Sequence, residues 1–343
     1  MNGVGRSSCQ ARSVERVPML TSGDVMVQQT MRAVTCPRYG PPEVLRLVEM
    51  PVPSPTPDQV RIRIHAAGVT MSDIFIRSAR VTPLLQVPFR LMMGITRPRA
   101  PIVGFVFSGV IDEVGGRITR FKLGDEVFCT TGFSLGAYAD YRCMGETDSK
   151  NHGCLALKPS NLTHEEATAA AYGGLLALQY CDKGEIEAGD EVLVYGASGT
   201  SGTIAVQYAK HLGARVTGVC GPKNINLVKS LGADEIIDYT KTDAPPSGAR
   251  YDFVLDSVGP GKSSQLKKAV KTALNPGGSY VSIGDGDMLL ESVRMDQIRE
   301  LVENEAIVPV LGHTFPIEEI VEAHRLVQSG HKRGGVAVTI ASH

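Results

Sequence analysis

The spacing of apolar residues changes near residue 160. Before that point apolar runs are short and alternate with polar residues. Gln59–His65, with Val-Arg-Ile-Arg-Ile-His at its end, has the period-two pattern of a half-buried strand. The Pro-rich run before it, residues 50–59, cannot be a central strand. Gly104–Val114, the segment around Gly124-Asp125-Glu126-Val127-Phe128-Cys129, and Gly136–Met144 predict further short strands. This first half reads as an irregular, mostly β domain.

After Asn161 the period lengthens. Thr163 followed three residues later by Glu166 is a capping box opening an Ala-rich helix. Strands are then predicted at Val192–Tyr195, Arg215–Cys220, Glu235–Tyr239, Tyr251–Asp256 and Gly278–Ile283. Helices are predicted at Thr203–Leu212, Ile225–Leu231 and Ser263–Leu274, then at Ile317–Gln328 before a last strand, Val336–Ile340. Strands separated by helices of this length form βαβ units on a parallel sheet. Residues 74–100 are rich in Leu, Met and Phe; they suit a hydrophobic ligand, a membrane or a partner, and the preferred expectation is a buried helix.

Composition then narrows the function. Lys plus Arg is 35 and Asp plus Glu is 36, a net charge of −1, so bulk charge does not hold this chain on nucleic acid or anionic lipid. No apolar run is long enough for a membrane span, and stable membrane insertion is not expected. The cysteines, seven in all, are scattered without a Cys-x-x-Cys, which favours a reducing, cytoplasmic setting over a disulfide scaffold. Residues 1–30 are polar, with Arg6, Arg12 and Arg16. They read as a disordered extension or sequence ahead of a later start, and also suit a transit-like or regulatory segment.

The most specific motif lies between the strand at Val192–Tyr195 and the following helix. Gly196, Gly199 and Gly202 form a Gly-x-x-Gly-x-x-Gly turn, with Ser198, Thr200 and Ser201 between and after them. Such glycines let backbone approach a dinucleotide pyrophosphate, and the helix N-terminus offers free N–H groups. The next strand ends in Cys220, followed by Gly221, Pro222, Lys223 and Asn224. An NAD site carries an acid near this point for the ribose 2′-hydroxyl. Here there is none, and Lys223 favours the 2′-phosphate of NADP(H) over NAD(H).

These segments together resemble the medium-chain dehydrogenase/reductase superfamily, in its zinc-free quinone oxidoreductase branch. The resemblance runs from Met31 to Ile340. It rests on residues 67–73, residues 101–110, residues 120–127, the Leu231–Tyr239 segment and the Tyr251–Gly259 segment. It implies an α/β fold with a GroES-like β domain from residues 31–158 and 312–343, and a doubly wound Rossmann domain from residues 159–311. It implies that Thr70 and Asp73 are catalytic, that Tyr239 joins Lys223 at the 2′-phosphate, and that Asp256, Ser257, Val258, Ile283 and Gly284 line the nicotinamide side. Tyr138 and Tyr141 are candidate proton donors, with packing in the β domain the preferred reading.

The zinc positions of the superfamily fall here on Thr70, on Gly104-Phe105-Val106 and on Tyr172-Gly173-Gly174, and none supplies the Cys or His that zinc needs. No zinc is expected. Without that Lewis acid, hydride transfer to a small hydrophobic electrophile, a quinone or an α,β-unsaturated carbonyl, is favoured over alcohol oxidation. A zinc-independent aldehyde or carbonyl reductase and a weakly active nucleotide-binding redox sensor or partner protein are the alternatives. Compared with the family pattern, Leu176 replaces a Thr. Gly335 replaces a Lys or Asn, with Lys332 and Arg333 beside it. The 284–295 segment is short. That shortening removes part of the usual dimer contact and weakens the case for a homodimer.

Overall fold

The structure is a computed structural model that describes residues 29–80, 83–259, 264–286 and 288–340. The N-terminal extension therefore lies almost wholly outside the described residues. The chain begins with an antiparallel pair, β1 (Thr30–Thr35) and β2 (Arg46–Pro51). The long strand β3 (Gln59–Gly68) buries Val60, Ile62 and Ile64 on one face, as its alternation requires. Then come α1 (Met71–Ser78), α2 (Pro83–Met93), β4 (Val106–Val114), β5 (Glu126–Thr130), β6 (Tyr141–Gly145) and β7 (Cys154–Leu157).

Helix α3 (His164–Asp182) opens on the Thr163–Glu166 capping box. Beyond it the chain alternates: β8 (Glu191–Tyr195), α4 (Thr200–His211), β9 (Arg215–Cys220), α5 (Ile225–Ser230), β10 (Glu235–Asp238), β11 (Tyr251–Asp256), α6 (Gln265–Thr272) and β12 (Leu274–Ser282). These strands form one parallel sheet in the order β10-β9-β8-β11-β12. The chain runs outward from β8 to β10, then returns to β11 on the other side of β8. This reversal is the switch point of a doubly wound Rossmann sheet, where ligands bind beyond the carboxyl ends of the strands.

The chain ends in α7 (Ser292–Glu303), β13 (Leu311–Pro316), α8 (Ile320–Ser329) and β14 (Gly335–Thr339). Strands β13 and β14 leave the parallel sheet and join the first half, giving the order β13-β14-β3-β4-β5-β7 with β6 also on β3. Among the described residues β12 is thus an edge of the parallel sheet. Before α7, Leu289 N–H bonds Gln179 Oε1, and at its first residue Ser292 N–H bonds Asp148 Oδ2.

Helix α3 joins the two sheets. It is buried on nearly all sides, which explains its continuous Ala, Gly and Leu content. At Gly173 it approaches the head of α4 so closely that a Cβ would stand 2.7 Å from Thr200 O. The start of α4 is therefore fixed from both sides.

The 74–100 expectation is corrected. Among the described side chains of α2, Val87, Leu91 and Met92 are exposed, as are Ile95 beyond it and Phe75 on α1, while Phe89 packs on the core and Ile74, Ile76 and Met93 are buried. Its apolar content alone did not determine which neighbours would cover it.

Candidate active site

The glycine turn sits at the switch point between β8 and β11. Gly196 has φ of +82°, a conformation that favours glycine, and a Cβ there would meet Val258 at 2.6 Å. Gly202, already in the first turn of α4, is packed on the turn's own backbone: a Cβ would lie 2.2 Å from Gly196 O. Gly199 is the N-cap, with no side-chain capping bond. The helix therefore presents uncapped N–H groups and the positive end of its dipole. This cradle of bare backbone at a helix N-terminus fits a dinucleotide diphosphate.

Several of the candidate residues around the turn lie close together. Asn224 Nδ2 donates to Ser198 Oγ at 3.1 Å, tying the end of β9 to the turn. The Ser201 and Ser257 hydroxyls share a hydrogen bond of 2.6 Å, tying α4 to the end of β11. Ile283 is half-buried and Gly284 exposed, just beyond β12. Lys223 is exposed at the end of β9. Tyr239 is half exposed, and its hydroxyl would stand 3.1 Å from a Cβ at Gly221. Lys223 and Tyr239 thus flank the same strand end. Cys220 is buried there, and burial pushes its thiol up to about 11.

Asp256 has a role that sequence reasoning missed. It is buried and ion-paired with Lys267 at 2.5 Å. It also accepts from Tyr280 and Ser282 hydroxyls at 3.0 Å each and from the N–H groups of Val258 and Gly259. Its carboxylate shapes the turn that carries Ser257 and Val258. Lys267 stands 11 positions downstream on another element, and no sequence pattern marks the pair.

Thr70 and Asp73 form a second centre. Thr70 is the N-cap of α1 and Asp73 its third residue, in a capping box. Asp73 Oδ2 accepts from Thr70 N–H at 2.8 Å and from Thr70 Oγ1 at 2.6 Å. Its Oδ1 is buried without a hydrogen bond of normal geometry; the Tyr138 hydroxyl close by donates to Gly68 O at 3.3 Å and also helps to hold the carboxylate charge. Burial, opposed by the Thr70 bonds, pushes the Asp73 carboxyl up to about 6. Tyr138 is fully buried, and Tyr141 packs under Arg61. Beside this centre Phe105 and Tyr172 meet edge to face with ring centroids 6.2 Å apart, and Ser72 and Tyr172 share a hydroxyl bond of 3.1 Å. The positions that the resemblance assigns to zinc ligands hold Thr70, Phe105 and Tyr172, and this set of hydroxyls and rings does not fit a zinc ion. Among the described residues no group of three or more His, Cys, Asp or Glu is placed to hold a metal, and no helix is long and apolar enough to cross a membrane.

Comparison with known proteins bears on the family and the fold. The alcohol dehydrogenase GroES-like domain matches residues 56–156, and the zinc-binding dehydrogenase family matches residues 202–329. The mitochondrial NAD(P)H oxidoreductase RTN4IP1 of Bos taurus is 31% identical, over 90% of this chain and 89% of its own length. The chain belongs to the medium-chain dehydrogenase/reductase superfamily, in its quinone oxidoreductase-like branch. The 2-methylene-furan-3-one reductase of Solanum lycopersicum is 28% identical, over 97% of this chain and 84% of its own length. Among solved structures, the quinone oxidoreductase of Coxiella burnetii superposes with a TM-score of 0.75 at 25% identity, covering 91% of this chain and all of that one. The protein is accordingly an oxidoreductase that uses a nicotinamide cofactor.

Two variants test the carboxylates. Lys267→Met leaves Asp256 buried without its cation, and should lower the unfolding free energy by about 3–5 kcal/mol in denaturant titration. Asp73 binds its proton more tightly folded than unfolded. Its contribution is therefore full below about pH 4 and is lost as pH rises through 6. Asp73→Asn should flatten stability across that window and be at least as stable as wild type at pH 7. Asp73→Ala should lose about 1 kcal/mol relative to Asn, because the Thr70 N–H then loses its acceptor in the capping box.

Proposed function

We propose that this protein is a zinc-independent, NADPH-dependent oxidoreductase that reduces quinones or α,β-unsaturated carbonyls. The observation that carries the reading is the Phe105–Tyr172 contact beside Thr70, with no metal donor among them. A site without a Lewis acid cannot stabilise an alkoxide in that way. A conjugated acceptor spreads the incoming charge onto its own oxygen, so alignment and dry surroundings are sufficient. The names of the Solanum and Coxiella relatives, a furanone reductase and a quinone oxidoreductase, support this class of acceptor.

Bound NADPH supplies the hydride. The Gly196–Gly202 turn and the head of α4 hold the diphosphate. Lys223, Asn224 and Tyr239 take the 2′-phosphate, for which the lack of a carboxylate at Cys220 is the support. Ser257, Val258, Ile283 and Gly284 line the nicotinamide side, on a turn held by Asp256. Phe105 and Tyr172 give the acceptor apolar walls and keep water out. The Thr70 hydroxyl hands a proton to the acceptor. When Asp73 is protonated it donates to Thr70 Oγ1, which releases the threonine proton for transfer. Solvent then refills Asp73. The free cysteines, among them Cys36, Cys129 and Cys220, suit a reducing compartment.

A second reading, a nucleotide-binding sensor or partner with little turnover, is favoured by one observation: among the described residues the parallel sheet ends at β12. That edge is also the strand available for a homodimer built by sheet extension.

Loss of reduced-nicotinamide absorbance with a panel of quinones, enones and aldehydes separates the readings. Turnover with quinones or enones, and tighter use of NADPH than NADH, is the expected result. Turnover with aldehydes alone would contradict the acceptor class. NADPH binding without turnover would favour the second reading.

A further inference from the structure

The net charge of −1 averages out an uneven stretch. Between Asp73 and Asp112 the chain has no acidic residue and five arginines: Arg77, Arg80, Arg90, Arg97 and Arg99. Arg77 is buried, but Arg80, Arg97 and Arg99 are exposed and Arg90 is half-buried. Among the described residues none of these last four forms a salt bridge. Where they are bonded, the acceptor is a neutral carbonyl: Arg90 donates to Ile95 O at 3.2 Å and Arg99 to Leu91 O at 2.7 Å. The segment beside this loop brings no counter-charge either. Tyr39 packs here through its hydroxyl on Gly94 O, and the acid that follows it, Glu43, is neutralised by Arg325.

The same stretch is apolar on its outside. Val87, Leu91 and Met92 of α2 are each more than half exposed, and Pro88 is exposed with them. At 3.6 residues per turn these four side chains sweep about 140° of the helix, and all are apolar. Ile95, just beyond the helix, is also more than half exposed. On the inner side Phe89 packs on the core and Met93 is buried. A helix that is apolar on both sides suits apolar surroundings on both sides. Such an exposed patch marks a docking surface.

The chemistry of the patch selects its occupant. Unpaired arginines without acids require an anionic partner. The outer arc offers no side-chain hydrogen-bonding group, which a protein interface uses and the acyl region of a bilayer does not. Arginine can lay its stem along apolar surface and hold its head at the polar boundary. We propose that the outer face of α2 docks on an anionic lipid surface, with its apolar arc in the acyl boundary and its arginines among the headgroup phosphates. The chain then lies on the membrane and does not span it. Helix α2 is tied to the end of α1 by Gln86 Nε2 on Ala79 O at 3.3 Å, and α1 is headed by Thr70. Docking therefore brings the Thr70 centre close to the lipid, where a hydrophobic acceptor collects. This last consequence alone rests on the reaction proposed above.

Co-sedimentation of the full chain with phosphatidylcholine vesicles, with and without phosphatidylserine, tests the docking directly. Wild type should bind the phosphatidylserine vesicles at least about tenfold more tightly than phosphatidylcholine alone, and raised salt should weaken that binding. A Leu91→Asp, Met92→Asp double variant should lose at least about tenfold in vesicle affinity with an unchanged thermal midpoint, because both side chains face outward. An Arg80→Gln, Arg97→Gln double variant should lose the preference for phosphatidylserine. Leu91→Trp adds a tryptophan to a chain that has Trp 0, and its emission should shift to the blue on phosphatidylserine vesicles. Failure of wild type to sediment with either vesicle would overturn the inference and leave the reductase reading untouched. Equal binding by wild type and the Leu91→Asp, Met92→Asp variant would place any lipid contact elsewhere, and would also overturn it. Self-association of wild type that this variant abolishes, without vesicle binding, would make the face a contact between copies and overturn it as well.

Discussion

The close contact between Gly202 and the Gly196 carbonyl governs the arrangement of the site. Strand β8 must end and α4 must begin within a few residues, and the two backbones touch where a side chain would otherwise stand. That contact brings the head of α4 to the switch point and leaves its N–H groups open. Helix α3 presses on the same place from the other side, through Gly173 against Thr200 O. The result is a rigid backbone surface set for an anion before any side chain is considered.

Side chains then add charge in an unusual distribution. At the far end of β11, Asp256 and Lys267 neutralise one another, and the turn they hold needs no outside ion. At the head of α4, the Lys332 ammonium bonds Thr200 Oγ1 and Gly334 O, both neutral. Near Thr70 the reverse holds: Asp73 is buried, and burial outweighs its hydrogen bonds and favours its protonated form.

Much of this was legible in the sequence. The strands Arg215–Cys220 and Tyr251–Asp256 have the predicted bounds to the residue, because buried parallel strands are apolar runs cut off sharply by polar and glycine residues. Helix α4 begins three residues earlier than its periodicity indicated, since Thr200, Ser201 and Gly202 belong to both the turn and the helix. Strand β12 begins at Leu274, earlier than predicted, because Pro276 is tolerated on a sheet edge. Thr70 and Asp73 have the spacing of a cap, and the structure shows that cap as well as the buried carboxyl. The Asp256–Lys267 and Thr200–Lys332 pairs, and the exposure of α2, depend on how distant elements meet. Local patterning carries no trace of them.

The most direct test of the central claim is NADPH titration of wild type and Gly202→Ala, read by nicotinamide fluorescence, which a chain with Trp 0 permits without tryptophan interference. The account predicts saturable binding to wild type. It predicts a loss of at least about tenfold in affinity for a Gly202→Ala protein that still unfolds cooperatively, because the added Cβ must push the turn open. Equal affinity in the two proteins would contradict it.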